Sequence, residues 1–437
     1  MSEPRQPNFL FFFPDQHRPD WLGSNPDLPL RTPHLDALAA RGVRFTRCTC
    51  NAPLCAPSRA ALASGKGYAR CGVVNNQDDY PLDQPTYYQA LQAAGYHVAG
   101  VGKYDLHKPT LDWGLDGTRL IREWGFHEGI DNEGKLDGSR SYLQNGRQPQ
   151  GPYLATLQQR GLADAYCAEH DSAFRRPRLD AYTTCLPDET YCDNWVAENG
   201  ARLLAGFPSG RPWHLVFNFT GPHNPMDVTP SMRARWEEVA FPPPHDNPNA
   251  DREGLLRNHQ NYAAMIENLD RQVGRIVEIV RQRGELEETL IVYSSDHGEM
   301  LGEHGLWGKS RWHTPSVGVP LIVAGPGVRP SLVSDALVSV YDLAATFVDY
   351  SGAEPMPGMD ARSLRPLLEG QTDAHRDVLL CGLNEWRLAY DGQYKLVTYP
   401  DRPPMLYDTL SDPHEDHDVA AAHPEVIARL NEALQNE

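Results

Sequence analysis

Cys55-Ala56-Pro57-Ser58-Arg59 places a thiol and a guanidinium one helical turn apart around a proline. A proline's missing N–H costs nothing in the first turn of a helix, so the segment predicts a helix that begins near Pro57 and runs through the alanines beyond it. Cys55 would lie just outside its N-terminus, where free backbone N–H groups and the helix dipole favour negative charge, and Arg59 would point back over the same end. A buried structural cysteine at a helix start is the plain alternative. Two further segments offer ligand chemistry: Asp15-Gln16 follows the apolar run Pro7 to Phe13, and Asp296-His297 follows Thr289 to Tyr293. Ligands of open α/β sheets bind beyond the carboxyl ends of strands, so a carboxylate with an amide and a carboxylate with an imidazole fall where a metal or phosphate site belongs. Taken alone, each aspartate reads as a turn or cap residue.

Three more segments supply protons and positive charge. His97 to Gly102 reads as a buried strand and delivers Lys103-Tyr104-Asp105-Leu106-His107-Lys108. In an extended segment residues 103, 105 and 107 share a face, so Asp105 and His107 both stand as candidates to join Lys103. Trp213 to Phe219 is another apolar strand, followed by Thr220-Gly221-Pro222-His223-Asn224-Pro225, where prolines on both sides keep His223 out of a helix. Lys309 ends a glycine-rich stretch beside Trp307, a setting that argues for a held side chain where a lysine is otherwise a solvated one.

Together these segments, which span nearly the whole chain, resemble the type I sulfatases of the alkaline phosphatase superfamily. In that family the Cys-x-Pro-Ser-Arg signature directs oxidation of the cysteine to Cα-formylglycine, whose hydrated aldehyde is the nucleophile; here the cysteine would be Cys55. The resemblance implies one divalent cation held by Asp15, Gln16, Asp296, His297 and an oxygen of converted Cys55. Oxygen-rich ligation argues for Ca²⁺ or Mg²⁺, and the imidazole tilts the site toward Mn²⁺; Ca²⁺ is the expectation and Mn²⁺ the alternative. It further implies that Arg59, Lys103 and Lys309 stabilise negative charge, that His223 protonates the leaving oxygen, and that His107 or Asp105 is the base that regenerates the aldehyde. Many sulfatases have a second Asp at the place of Gln16, Asn at that of His297, and His at that of Asp105. The Asp-Gln and Asp-His pairs are similar to those of choline-sulfatase-like and phosphonate monoester hydrolase-like branches. The implied function is hydrolysis of an organic sulfate monoester. The alternatives are a phosphonate or phosphate ester hydrolase on the same scaffold, and a non-catalytic metal- and oxyanion-binding protein with unmodified Cys55. A maturation enzyme that generates the formylglycine and a small sulfate ester are the implied partners, and an oligomer is left open.

The elements that must position these residues are legible in the pattern of the chain. Strand-like runs alternate with helical stretches at Gln84 to Ala94, Glu189 to Leu204 and Arg252 to Arg283, which predicts an α/β fold with a mainly parallel central sheet flanked by helices. Residues 110–187 lack clear periodicity and are expected to be an irregular insertion that forms a pocket wall. From about Asp377 short strands separated by turns predict a small antiparallel C-terminal subdomain closed by a helix from Pro424, dividing the chain into a catalytic domain 1–370 and a C-terminal unit 371–437. The length of 437 residues suffices for one large core, and 40% hydrophobic and 22% charged residues are those of a globular protein. A formal charge of −18 argues against nucleic acid and anionic membrane as partners. The first strand begins within a few residues of Met1 with no apolar leader, so a cytoplasmic location is expected, with most of the eight cysteines as free thiols. Glu385 and Trp386 pair a carboxylate with an aromatic face and could greet a cation such as choline, although an ordinary strand edge is the simpler reading.

Overall fold

The computed structural model describes residues 6–175 and 181–435. Its centre is an eight-stranded sheet. The strands are β1 (Asn8–Phe12), β2 (Gly42–Phe45), β3 (His97–Gly102), β4 (Glu128–Asp131), β5 (Trp213–Asn218), β6 (Thr289–Ser294), β7 (Leu321–Ala324) and β8 (Leu332–Ser334), in the spatial order β8-β2-β7-β6-β1-β5-β3-β4. β7 alone runs antiparallel to its neighbours. β1, at the middle of the parallel part, pairs with β5 and β6 in matching register. Its apolar run has no polar alternation because both faces are covered: Phe9 and Phe11 enter the core on one side of the sheet, Leu10 and Phe12 that on the other. Complete burial of each contributes roughly 1.5–3 kcal/mol.

Seven helices frame the site or pack the sheets that carry it: α1 (Cys55–Ser64), α2 (Tyr87–Ala93), α3 (Lys135–Gln144), α4 (Cys192–Gly206), α5 (Arg252–Gln282), α6 (Asp342–Ser351) and α7 (Pro424–Gln435). α2 starts in a reciprocal cap, with Thr86 accepting from the Gln89 N–H and Gln89 returning a bond to the Thr86 N–H. α1 begins two residues earlier than expected, so Cys55 is its first residue rather than the one outside it, and Pro57 sits within its first turn. Among the described residues no helix is long and apolar enough to cross a membrane.

The insertion expected to be irregular contains three helices between irregular stretches. Lys135–Gln144, Pro152–Gln159 and Ala163–Arg175 are helices separated by turns containing Gly146, Gly151 and Gly161. Segments this short present too few turns for a period to stand out, which is why the pattern fails in the sequence.

Four antiparallel strands, β9 (Leu379–Leu383), β10 (Trp386–Tyr390), β11 (Tyr394–Tyr399) and β12 (Arg402–Asp408), form the C-terminal sheet. One face receives α7 through Ala389, Leu396, Leu406, Val426 and Leu430. The other, with Leu388 and Val397, joins the main core. Trp386 belongs to that core, and neither it nor Glu385 borders a cleft of the active region, so the cation-greeting role considered for the pair has no geometry to support it.

Candidate active site

Parallel pairing brings the carboxyl ends of β1, β6, β5 and β3 to one edge of the sheet, and each delivers chemistry there: Asp15 and Gln16, Asp296 and His297, His223, and Lys103. The first residue of α1, Cys55, completes the set. One ligand atom each from Asp15, Cys55, Asp296 and His297 lies within 4.8 Å of all the others, and all four residues are buried. Cys55 Sγ is 3.3 Å from His297 Nε2 and 3.7 Å from Asp15 Oδ1. His297 Nε2 stands 3.5 Å from Asp15 Oδ1 and 3.7 Å from Asp296 Oδ1. His297 Nδ1 lies 3.0 Å from the Gly298 carbonyl, to which it donates, and this leaves Nε2 to face the carboxylates.

The cluster is held from behind. Asp296 Oδ1 accepts from the backbone N–H groups of Gln16 (3.0 Å) and His297 (2.9 Å), while Arg59 Nε donates to its Oδ2 at 3.0 Å. Arg59 Nη1 donates to the Lys103 carbonyl at 2.7 Å and to Asn218 Oδ1 at 3.2 Å, and the guanidinium lies 5.0 Å from the centre of the Phe13 ring. Its remaining nitrogen, Nη2, has no hydrogen-bond partner and lies 3.7 Å from Asp15 Oδ2. Arg59 therefore braces the two carboxylates and does not border the cleft, where the sequence had it stabilise substrate charge.

In front of the cluster is a cleft of about 160 Å³ bordered by Cys55, Lys103, Thr220, His223 and Lys309, with Gly134 and residues 135–137 of α3 as its outer wall. The pocket-wall role expected of the insertion thus falls to α3. Lys103 pairs with Asp15 in a very short contact and with Asp105 at 3.1 Å. Lys309 Nζ is 3.2 Å from Cys55 Sγ, 2.8 Å from Gln16 Oε1 and 2.6 Å from His223 Nε2. The Gln16 side chain, whose Nε2 donates to Glu299, thus sits at the edge of the cluster with its amide oxygen turned to Lys309.

His223 is placed by its loop. Asp193 of α4 accepts from the Thr220 N–H (2.8 Å), the Thr220 hydroxyl (3.0 Å) and the Gly221 N–H (3.0 Å), and Lys135 Nζ donates to the His223 carbonyl at 3.4 Å while pairing with Asp227 at 2.7 Å. His223 Nδ1 donates to the Asn224 carbonyl at 2.5 Å, so its Nε2 is the nitrogen shared with Lys309.

His107 is the candidate that the site does not gather. Its Nε2 is 2.9 Å from Asp131 Oδ2 and its Nδ1 2.9 Å from Thr110 Oγ1, and its ring stacks on Trp124. The shared face expected of residues 103, 105 and 107 is lost because Asp105 adopts a left-handed conformation, φ 53°, which turns the chain. Asp105 stays beside Lys103, and Lys108, which sequence reasoning did not single out, takes the next place along the cleft wall. Lys108 Nζ pairs with Asp105 at 2.8 Å and Asp137 at 2.6 Å. Asn76 was missed as well; its Oδ1 caps α1 by accepting from the Ala56 N–H at 3.0 Å, a tertiary contact with no local sequence signal.

The electrostatics arise from this crowding. Burial and the Asp15 carboxylate push the Cys55 thiol up, and Lys103, Lys309 and His297 outweigh them, bringing it down from its ordinary value to about 6. Burial likewise raises the Asp15 carboxyl, yet Lys103, His223, Lys309 and His297 hold it well below the usual carboxylate range. Burial with Lys309 and Lys103 alongside keeps the His223 imidazole well below its ordinary value, hence neutral at pH 7. Burial of His297 is outweighed by Asp296, and its pKa rises.

Comparison with known proteins gives the setting. A family model described as Sulfatase matches residues 7–353, and one described as N-sulphoglucosamine sulphohydrolase, C-terminal, matches residues 302–437. The choline-sulfatase of Rhizobium meliloti is 28% identical over 461 residues, covering 94% of this chain and 81% of its own. The N-acetylglucosamine-6-O-sulfatase of Bacteroides thetaiotaomicron is 26% identical over 444 residues, covering 91% and 75%. Among solved structures, the phosphonate monoester hydrolase of Agrobacterium radiobacter superposes with a TM-score of 0.80 at 23% identity, covering 98% of this chain and 95% of that one. A protein solved in complex with its substrate D-glucosamine-2-N,6-O-disulfate gives 0.78 at 19% identity, covering 99% and 97%. At these identities the two structures speak for the fold.

Proposed function

The chain belongs to the sulfatase family, and on that footing we propose that it hydrolyses an organic sulfate monoester to the alcohol and inorganic sulfate, with Cα-formylglycine derived from Cys55 as nucleophile. The observation that carries the reading is the convergence of Cys55, two carboxylates, an imidazole and two lysines at the floor of one cleft.

The donor set fits a divalent cation. His297 Nε2 stands 3.5 and 3.7 Å from the Asp15 and Asp296 carboxylates, wide for hydrogen bonds, and with Cys55 Sγ in the same cluster the spacing suits donors that share an ion. Asp15, Asp296, His297 and residue 55 would hold it, with the Gln16 amide at the margin. Predominantly oxygen ligation favours Ca²⁺, with Mn²⁺ as the alternative. When bound, the cation and the aldehyde supply a Lewis acid and a nucleophile that regenerates itself.

The chain's own residues do the rest. Lys103 and Lys309 border the cleft as cations and stabilise the charge that spreads over the sulfuryl oxygens. Arg59 keeps Asp296 and Asp15 in place, a positioning role. His223 Nε2 and Lys309 Nζ, 2.6 Å apart, hold a proton between them at the cleft surface, and this pair delivers it to the leaving oxygen. Asp105, buried beside Lys103 and Lys108, fixes their ammonium groups. In the resting arrangement His107 is a structural group on Asp131.

The runner-up is phosphonate or phosphate ester hydrolysis, since the same cluster of metal-type donors and cleft lysines could serve attack at phosphorus. Lys103 weighs toward sulfate, because it places a cation where a phosphonate's carbon substituent would have to fit. A panel of matched aryl sulfate, phosphate monoester and phenyl phosphonate ester on fully converted protein tests the choice. The highest kcat/KM is expected for the sulfate; faster turnover of the phosphonate ester would make the runner-up the better description.

A further inference from the structure

A second group of metal-type donors lies on the surface away from the cleft, where three separate stretches of chain meet. Asp246 comes from the loop after residue 241, His304 from the turn Glu303–Gly305, and Asp416 from the segment between β12 and α7. One ligand atom from each lies within 4.8 Å of the other two. His304 Nδ1 is 3.7 Å from Asp416 Oδ1 and 4.0 Å from Asp246 Oδ2.

The orientation of the His304 ring is informative. Its Nε2 is 2.9 Å from the His414 carbonyl, which can only accept, so Nε2 carries a proton. Its Nδ1 is thereby the nitrogen that faces the carboxylates of Asp416 and Asp246. At 3.7 and 4.0 Å the separations are too long for an N–H of the ring to bond either carboxylate well, and donors sharing a tetrahedral ion at about 2 Å stand roughly 3.3 Å apart, so the carboxylate of the exposed Asp246 has to close by about 0.7 Å and that of Asp416 by about 0.4 Å when an ion binds. A ring whose second nitrogen donates to a backbone carbonyl is also the usual posture of a ligating histidine, as at His297 in the catalytic cluster.

The site is braced before any ion arrives. His245 Nε2 bonds the Asp416 carboxylate at 2.8 and 3.1 Å and stacks on His414 with ring centres 3.9 Å apart. The His304 N–H donates to the His245 carbonyl at 2.9 Å, the His245 N–H to Glu303 Oε2 at 2.9 Å, and Asn247 Nδ2 to the Gly302 carbonyl at 2.8 Å. Next to Asp416, Glu415 accepts from the Thr314 N–H at 2.8 Å and pairs with Lys395 of β11.

The geometry points to a second divalent-metal site, ligated by His304, Asp246 and Asp416 with solvent on its open side, that takes Zn²⁺ and clamps the C-terminal subdomain to the turn leading into Lys309. An imidazole with two carboxylates and an open position suits a borderline ion such as Zn²⁺ better than Ca²⁺, which needs six or more oxygens. His304 is five residues before Lys309, so an ion here would restrain the stretch that carries that lysine to the cleft.

Zn²⁺ binding to the full chain, measured by equilibrium dialysis with elemental analysis, tests the proposal with Asp246→Asn, Asp416→Asn and Asp296→Asn compared. Asp412 and His417 also come within reach of Asp416, and Asp246→Asn separates the two arrangements. In Asp296→Asn, where the catalytic cluster is weakened, one equivalent of Zn²⁺ is expected, and it should bind at least tenfold more weakly when Asp246→Asn or Asp416→Asn is added. Hydrogen exchange of residues 302–309 should slow on adding Zn²⁺ to wild type and not to Asp246→Asn. Unchanged binding in both surface variants, or loss of the equivalent in Asp296→Asn alone, would overturn it.

Discussion

Removing the imidazole of His223 should separate substrates by how much they need a proton. Lys309 keeps Gln16 Oε1 at 2.8 Å in His223→Ala and stays beside residue 55, whose Sγ is 3.2 Å away in the unconverted chain, and the His223 loop remains tied to Asp193 through backbone groups of Thr220 and Gly221. The cleft floor should therefore persist, and what is lost is the nitrogen 2.6 Å from Lys309 that shares the leaving group's proton. General acid catalysis of this kind contributes about 10²–10⁴ in rate, or roughly 2.7–5.4 kcal/mol at 1.36 kcal/mol per factor of ten. An alkyl sulfate, which expels a strongly basic alkoxide, should lose that full factor in kcat. 4-Nitrophenyl sulfate, whose leaving group needs little protonation, should lose less than about tenfold. A series of aryl sulfates of graded leaving-group pKa, assayed at saturating substrate with protein of known Cys55 conversion, gives the slope of log kcat in wild type and variant. The variant's slope should be steeper. Equal losses across the series would show that His223 acts on binding or on the cleft's shape, and the proton-donor role would be wrong.

Asp296→Ala should lose the catalytic cation and all activity while circular dichroism stays unchanged, because it removes one carboxylate from a cluster whose groups are held together by opposite charge; equal metal content by elemental analysis would refute the ligand set. His107→Ala should lower thermal stability through the loss of its Asp131 and Thr110 contacts and leave kcat within about tenfold, whereas Asp105→Ala, by freeing Lys103 and Lys108, should reduce kcat/KM by more, and the reverse ranking would put His107 in the chemistry. Asp342 reports on acid stability: burial raises its carboxyl, but Arg376 and His375 outweigh that and bring it to about 2. A depressed folded value contributes stability that is present above the unfolded pKa of about 3.9 and is lost as pH falls through 2, on the order of 2 kcal/mol; Arg376→Ala should remove most of it, flattening the decline of denaturant midpoints between pH 5 and 2.

Much of the site was legible because strand ends in a parallel sheet are marked by uninterrupted apolar runs. β1, β3, β5 and β6 could be read as such, and the polar residues after each fell together as expected: Asp15 and Gln16, Lys103, His223, Asp296 and His297. What the sequence hid depended on backbone turns and tertiary approach. The left-handed conformation of Asp105 redirects the chain, so the alternation that would have aimed His107 inward stops one residue too soon. Arg59 was correctly associated with the helix head, yet its burial behind Asp296 is set by how α1 docks on Phe13 and Asn218. Asn76 and Lys135 come from separate loops and helices that pack only in the folded chain, and no local pattern announces them. The insertion's helices are too short for their period to register, although its role as a wall was inferred from its length and lack of pattern.

The central claim rests on what residue 55 becomes. Peptide mass spectrometry of protein co-expressed with a formylglycine-generating enzyme, read alongside sulfate release, measures the converted fraction and the turnover in the same preparations. The account predicts loss of sulfur at Cys55 alone among the eight cysteines and activity proportional to the converted fraction. Full activity in protein that retains an intact thiol at Cys55 would contradict it.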